Sequence, residues 1–414
     1  MGRPAKSAVR QITPADRAKA LAVVSGQETW LRGHLDRLAK LPAHGNRTLG
    51  LDQLFHGLLL AFFDPLARSL RLIEDAGNFI GNLDLPRLAR STTSDALAVF
   101  DPQCLRPVIR DLQGRIPALA SDDPDLASIT RRIIAADGTY LSTLADVTWA
   151  LKHTKGNGKK QAQVRANVQM DVASWVPQVL SVSGDDGESE PAAFARDLLA
   201  DVLYVVDRNF VNFAFVKAVL AAGSDLVLRI KSSQPALKVV KSLPLSPADA
   251  AAGVVADELV QLTGRDAPAI AGGLWRRVTV VTTNRHGKPE IIQLLSNLTD
   301  AAAVPARVIA AIYRLRWQIE LFFKWLKCWA RMDHLLSTSR NGIGFQLYVA
   351  VIAVLLMYVQ SGRRVSLYAL AALSRVACGQ LTLQQAMAVI AKREHERQLN
   401  AARQARRRAM KKLA

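Results

Sequence analysis

The stretch from Tyr313 to Lys327, YRLRWQIELFFKWLK, limits the structures open to this chain more than any other segment. On a helix, at about 100° per residue, most of its apolar side chains gather on one face. A separate stripe carries a single carboxylate, that of Glu320, among three cations and a phenol. The other members of this stripe are Tyr313, Arg316, Lys324 and Lys327. The apolar face is predicted to pack against a core, so the polar stripe must face solvent or a ligand.

The residues alone leave two interpretations of the polar stripe open. Arg316 and Lys324 each stand four residues from Glu320, which suits salt bridges on a solvated helix face. Alternatively, a carboxylate among cations is a metal ligand flanked by groups that hold phosphates. Residues 305–345 contain seven basic residues and two acidic ones, and Trp317 adds an aromatic ring beside the charges. These features favour a nucleic-acid surface.

The charge of the whole chain supports the same interpretation. The 414 residues carry a formal net charge of +19, which predicts a polyanionic partner, nucleic acid before an anionic membrane. The longest apolar run, Leu347 to Val359, has 13 residues, and a membrane span needs about 20, so the run predicts a buried helix. Three widely spaced cysteines and a polar N-terminus predict a reduced, cytoplasmic setting without a membrane segment.

The pattern along the chain predicts an α/β fold with helical ends. Residues 1–125 read as helical, with a first helix capped by Thr13, and residues 346–414 read as helices ending in a basic tail. Strands and turns dominate between them. The predicted strands are 132–136, 163–172, 175–182, 202–206, 225–231, 275–283 and 290–297, and the second and third, like the last two, are predicted hairpins. Residues 232–273, rich in Pro, Gly and Ala, give no clear pattern.

Two of these apolar strands are each predicted to end in an aspartate, Asp137 and Asp207. Either aspartate alone is more often a turn former or a helix cap. Together with Glu320, however, the two carboxylates could converge at one edge of a sheet. Three hard oxygen donors suit Mg²⁺ or Mn²⁺, and two such ions would support phosphoryl transfer to water or a 3′-hydroxyl. Arg316, Lys324 and Lys327 are suited to hold the flanking phosphates.

These motifs resemble those of bacterial insertion-sequence DDE transposases. The spacing Tyr313-x2-Arg316-x3-Glu320-x6-Lys327 matches the Y-x2-R-x3-E-x6-K signature of that family. DGT at residues 137–139 and DR at residues 207–208 look like its first and second acidic motifs, and LLSNL at residues 294–298 resembles the strand before its signature helix. The resemblance covers roughly residues 130–345.

The resemblance implies an RNase H-like catalytic core at residues 126–345, with a mostly β insertion at about 232–300. It implies that Asp137, Asp207 and Glu320 are the metal-binding and catalytic residues, acting with two Mg²⁺ or Mn²⁺ ions. It also implies DNA contacts, which are expected from Tyr313, Arg316, Lys324, Lys327 and Arg208. The expected partners are transposon-end and target DNA, bound by a homodimer. Residues 1–125 would then be a DNA-binding region.

Three functions remain open at this point. The first is a transposase that binds terminal inverted repeats, cleaves their 3′ ends and joins them to target DNA. The second is a metal-dependent nuclease or resolvase on the same fold, and the third is an inactive DNA-binding remnant. Relatives that excise through a DNA hairpin tend to carry a tryptophan on the strand before the signature helix. That strand has none here, so a hairpin step is not predicted, and Trp275 on the preceding strand is only a candidate substitute.

Overall fold

The structure, a computed structural model, describes most of the chain between residues 28 and 413. The described residues are 28–41, 49–63, 69–79, 88–116, 124–144, 147–154, 160–185, 187–231, 235–263, 273–283, 287–328, 332, 334–361, 368–369, 371–372, 375 and 381–413. They form two compact units, one within residues 117–328 and the other from the residues on either side of it. The helix predicted to begin at Thr13 lies outside the described residues.

The described residues contain twelve α-helices and a ten-stranded sheet. The helices are α1 (Glu28–Ala39), α2 (Leu51–Phe63), α3 (Leu70–Phe79), α4 (Arg90–Val99), α5 (Arg106–Arg115), α6 (Glu190–Ala195), α7 (Phe213–Ala221), α8 (Pro247–Ala251), α9 (Ala306–Leu315), α10 (Trp317–Cys328), α11 (Arg340–Ser361) and α12 (Leu383–Leu413). The strands are β1 (Arg132–Thr143), β2 (Leu151–Thr154), β3 (Lys160–Asp171), β4 (Val176–Ser183), β5 (Val202–Val206), β6 (Asp225–Ile230), β7 (Leu237–Ser242), β8 (Val254–Leu262), β9 (Trp275–Thr283) and β10 (Pro289–Ser296).

Five strands form the central part of the sheet in the order β4-β3-β1-β5-β6. Strand β3 runs antiparallel to both β1 and β4, whereas β1, β5 and β6 are parallel to one another. Numbered along the chain, these five strands have the order 3-2-1-4-5, which is the arrangement of an RNase H-like core. The fold class predicted from the sequence is therefore confirmed. The short strand β2 pairs with the beginning of β3.

The strands between residues 237 and 296 continue this sheet instead of forming a separate one. Strand β10 runs antiparallel to β6, and the order continues as β9, β8 and β7. The predicted hairpin of β9 and β10 is confirmed. Strands β7 and β8 were not predicted, because this Pro-, Gly- and Ala-rich segment has little apolar alternation. β7 is mostly exposed, so no buried face marks it in the sequence.

Helices cover both faces of the central strands. On one face, Ile134 and Ala136 of β1 share a buried core with Phe194 of α6 and Phe215 of α7. On the other face, α9 packs against β5 and β6, and α10 packs against β1. Successive side chains of a strand alternate between faces. Asp137 therefore belongs to the face that α10 covers. Strand β5 is buried along its whole length, as expected for a central parallel strand.

The helix predicted to run through residues 313–327 is divided at Arg316. Here the amide of Arg316 donates to the carbonyl of Tyr313, and the amide of Ile319 donates to the carbonyl of Arg316, each at 3.1 Å. These bonds span three residues rather than four, so the chain tightens at this point. Before the break, α9 buries Val308 and Ile312, as its apolar pattern predicts. The break places Arg316 at the junction of the two helices.

The other unit is helical in its described part. Helix α11 contains the apolar run from Leu347 to Val359 and buries most of its residues, so the predicted buried helix is confirmed. Residues 340–359 are also long and apolar enough to cross a membrane, as the core helix of a soluble protein can be. Of the most apolar part of this stretch, 83% is buried. Helix α12 carries the basic C-terminal tail.

Candidate active site

Asp137 and Asp207 lie side by side at the centre of the sheet, Asp137 on β1 and Asp207 directly after the parallel strand β5. Ala135 of β1 is aligned with Val205 of β5, so the two aspartates follow at the same level. Asp207 comes directly after β5, as predicted, and its carboxylate accepts a hydrogen bond from the amide of Asn209 at 2.8 Å. The expectation that Asp137 ends its strand is wrong. Strand β1 continues to Thr143 because its pairing with β3 extends beyond its pairing with β5.

The guanidinium of Arg316 links the first aspartate to the glutamate of the signature stretch. Its Nη1 lies 3.3 Å from Oδ2 of Asp137, and its Nη2 donates a short hydrogen bond to Oε1 of Glu320. One cation thus lies between two carboxylates that are far apart in the sequence. The structure therefore brings Asp137, Asp207 and Glu320 to one region of the sheet.

Burial and nearby negative charge both raise the pKa of Asp137. Burial raises it most, Glu190 and Asp207 raise it further, and Arg316 lowers it, which leaves a pKa of about 7. As the side chains stand, no three His, Cys, Asp or Glu residues in the described part are close enough to hold a metal ion. Hard carboxylate oxygens around a cation nevertheless match the donors that Mg²⁺ and Mn²⁺ prefer. The residues present therefore fit a divalent cation.

Glu190 is a member of this cluster that the sequence interpretation missed. It begins α6 and is half-buried, and burial and the charge of Asp207 raise its pKa. Its neighbours in the sequence, SGDDGESEP, are typical of a solvated acidic turn. The acidity of the segment by itself predicts only a turn, and no spacing in the sequence relates Glu190 to Asp137.

Tyr313, a predicted DNA contact, is largely buried in this structure, with 9% of its surface exposed. Its ring lies 5.8 Å from the guanidinium carbon of Arg316. Its hydroxyl also meets Arg229 of β6, which Glu290 pairs at 2.6 Å. Burial alone lowers the pKa of Arg229, but its bonds with Glu290 and Tyr313 outweigh burial and raise it. Tyr313 therefore contacts two guanidinium groups beside the carboxylates.

The remaining predicted DNA contacts lie nearer the surface. Arg208 and Lys324 are exposed, and Lys327 is half-buried. Trp317, the first residue of α10, exposes 57% of its surface although it is a large aromatic residue. Exposed cations beside an exposed ring are typical of surfaces that bind nucleic acid.

The structure removes Trp275 as the substitute for a base-capping tryptophan. Only 3% of its surface is exposed, and it packs in the core with Val260 and Leu295. A flipped base could not reach its ring without displacing that core. Trp275 faces inward from β9, which the sequence alone does not establish.

An RNase H-like sheet with carboxylates at its centre and a basic helix beside them defines a polynucleotidyl transferase or nuclease. Residues 129–356 match the family model for the transposase DDE domain. The chain belongs to this family of DDE transposases. Membership implies the use of a divalent metal and the binding of DNA.

Three curated relatives carry names that describe them as transposases. The protein y4zB of Sinorhizobium fredii is 29% identical over 208 residues, which are 50% of this chain and 55% of that protein. The transposase of element IS5377 from Geobacillus stearothermophilus is 25% identical over 82% of this chain and 85% of its own length. The transposase of element IS4SA from Synechocystis is 36% identical over 64% and 70%.

A solved structure also aligns with the chain. A cryo-EM structure of the piggyBac transposase synaptic complex with hairpin DNA covers 94% of this chain and 83% of its own, at 10% identity and a TM-score of 0.40.

Proposed function

We propose that this chain is the transposase of an insertion sequence. It binds the terminal inverted repeats, cleaves their 3′ ends and joins those ends to target DNA. The observation that supports the proposal is that three carboxylates lie in one region of the sheet. Asp137 on β1 lies at the level of Asp207, which directly follows the parallel strand β5, and Arg316 ties Asp137 to Glu320.

In this proposal Asp137, Asp207 and Glu320 hold Mg²⁺ or Mn²⁺, as two ions. Bound there, the metal would supply activation of the attacking oxygen and compensation of charge on the leaving oxygen. The carboxylates would fix the position of the metal's positive charge, and this charge would position the reacting phosphate. Arg316 gives up part of its ion pairing with Asp137 and Glu320 and turns its guanidinium toward a DNA phosphate. Arginine suits this exchange because its fork of donors matches carboxylate and phosphate alike.

The surrounding residues hold DNA in the same proposal. Arg208, Lys324 and Lys327 contact phosphates, and Trp317 stacks on a base at the cleaved end. Tyr313 keeps Arg316 oriented and reaches DNA only with its small exposed edge.

Each region of the chain has the role that the family resemblance implies. Residues 1–125 recognise the repeat, residues 126–345 form the catalytic core with an insertion at about 232–300, and residues 346–414 add a basic helical tail that contacts phosphates. Two chains act together because two element ends must be joined in one event. Transposition takes place in the cytoplasm, and the protein is at the nucleoid when DNA is bound.

The test is Mg²⁺-dependent cleavage of a labelled duplex that carries the element's own terminal repeat. Wild type should cut at the repeat boundary, whereas Glu320→Gln should still bind the duplex but not cut it. Glu396→Gln is the matched control, because Glu396 lies on α12 and pairs only with Arg393 in the described part of the chain. Cleavage by Glu320→Gln at the wild-type rate would refute the assignment of the triad.

A second assay separates a transposase from a nuclease. A duplex that already ends at the repeat boundary is incubated with supercoiled plasmid, and joined products are counted. Joining by wild type supports the transposase. Cleavage of the first duplex without joining in the second would make the protein a metal-dependent nuclease, and binding without either would make it an inactive DNA-binding remnant.

A further inference from the structure

We propose that Glu190 is a fourth carboxylate of the metal site, acting together with Asp137, Asp207 and Glu320. This inference rests on the function proposed above and adds a ligand that the transposase signature does not contain. Glu190 reaches the site from the face of the sheet opposite to that of Glu320. Helix α6 supplies Glu190, and α10 supplies Glu320.

Gly138 brings the Glu190 carboxylate next to Asp137. A Cβ atom at residue 138 would overlap Oε1 of Glu190 and would lie 2.9 Å from Cδ of Arg165. The backbone directly after Asp137 is therefore in close contact with the Glu190 carboxylate, and any side chain at residue 138 would require Glu190 and Arg165 to move.

The Glu190 carboxylate has an unsatisfied oxygen. Its Oε1 is buried and makes no regular hydrogen bond in the part of the chain that the structure describes; the nearby amide of Gly138 lowers the pKa of Glu190 but donates its regular hydrogen bond to Asp137. A buried carboxylate oxygen without a partner is costly, and such an atom calls for a ligand or a stated role. A cation shared with Asp137 would supply that partner.

Glu188, two residues earlier, provides a comparison. Its Oε2 is also buried without a partner, but its Oε1 pairs with Arg196 at 2.8 Å. Glu190 makes no such ion pair among the described residues, and the charges around it include those of Asp137 and Asp207. Arg165 offsets this repulsion only in part, because burial still raises the pKa of Glu190. Glu188 and Glu190 therefore carry the same functional group, but they differ in the charges of the residues around them.

A structural role for Glu190 must be distinguished from a metal-binding one. Glu190 stands in the first turn of α6, where a carboxylate stabilises the helix through its dipole. Loss of that contribution would lower the stability of every form of the protein equally. Loss of a metal ligand would instead reduce the difference between the metal-bound and metal-free forms.

The experiment measures Mn²⁺ binding by the full-length protein from the rise in melting temperature during a titration. Glu190→Gln should raise the apparent Kd for Mn²⁺ about 10- to 100-fold, the usual effect of losing a group that supports a metal site. Glu188→Gln should keep the wild-type Kd. An unchanged Kd in Glu190→Gln would overturn the inference. If that variant does not fold, Glu190→Asp keeps the charge but withdraws the carboxylate, and it should also bind more weakly; a wild-type Kd in it would overturn the inference equally.

Asp137→Asn separates this inference from the proposed function. Weak binding by Asp137→Asn with normal binding by Glu190→Gln would remove Glu190 alone from the site. Normal binding by both variants, or no Mn²⁺-dependent change in wild type, would refute the metal site as a whole. Weak binding by both, with Glu188→Gln unaffected, supports a site of four carboxylates.

Discussion

Replacing Asp137 with asparagine is expected to abolish cleavage and, without metal, to make the folded protein more stable. The side chain is 18% exposed, and burial and neighbouring carboxylates raise its pKa from 3.8 to about 7. At about 1.4 kcal/mol for each pKa unit, this rise costs the folded state up to about 4 kcal/mol above pH 7. Asparagine removes that cost and retains an acceptor for the amide of Gly138.

The pKa of about 7 already includes the attraction of Arg316, so the ion pair that the variant loses is not subtracted a second time. The expected gain above pH 7 is therefore up to about 4 kcal/mol. For a unit of this size each kcal/mol moves the melting temperature by about 2–4 °C. The expected rise at pH 8 is therefore up to about 8–16 °C.

The raised pKa of Asp137 also determines how the stability difference between Asp137→Asn and wild type changes with pH. An aspartate whose folded pKa is raised binds its proton more tightly in the folded state, so stability falls as pH increases between the two pKa values. The cost is absent below about pH 4 and complete above pH 7. The advantage of Asp137→Asn over wild type should grow across the same interval.

The assay is thermal unfolding in EDTA between pH 4.5 and 8, with Glu396→Gln as a control that should follow wild type. A variant that melts below wild type at pH 8 would refute the reasoning. So would an advantage that stays constant across the pH range.

Three further changes test other parts of the structure. Asp257→Ala should destabilise the protein by about 3–5 kcal/mol in urea unfolding, because it leaves the fully buried Arg276 without its carboxylate; a loss below 1 kcal/mol would contradict this. Trp317→Ala should weaken binding of a repeat duplex with frayed ends by about 1–3 kcal/mol without changing the melting temperature, and equal affinity would remove the stacking role. Lys324→Ala should lower the slope of log affinity against log salt by about one, and an unchanged slope would exclude a phosphate contact.

The sequence predicts those parts of the site that follow from local patterns. VLYVV is apolar throughout, which predicts a strand that is buried on both faces, as β5 is. Asp207 therefore falls at the carboxyl end of a central strand. The spacing from Tyr313 to Lys327 identifies Glu320 and Arg316 because these residues share one stretch of chain. The hairpin of β9 and β10 follows equally from alternation and a turn.

The rest depends on contacts between segments that are distant in sequence. Asp137 lies inside its strand because β3 continues to pair with β1, and pairing partners cannot be deduced from β1 alone. Glu190 comes near Asp137 only because the chain returns through β3 and β4 before α6 begins. Trp275 faces inward because of the register between β8 and β9. In each case a local pattern leaves the side chain's neighbours undetermined.

The charges of the site imply that metal and DNA bind cooperatively. Without metal, the guanidinium of Arg316 is the cation that contacts Asp137 and Glu320. A DNA phosphate that attracts Arg316 would leave these carboxylates to repel one another and the phosphate, unless a divalent cation replaces the guanidinium. Each ligand should therefore raise the affinity of the other by the same factor, about 5- to 150-fold for an ordinary coupling.

This coupling is measured with a duplex that already ends at the repeat boundary, so that no cleavage intervenes. Its affinity is determined with and without Mn²⁺, and the affinity for Mn²⁺ with and without the duplex. In Arg316→Ala the carboxylates have no guanidinium to release, so the coupling factor should differ from that of wild type. An Mn²⁺-independent duplex affinity in wild type would show that Arg316 keeps its carboxylate partners when DNA binds.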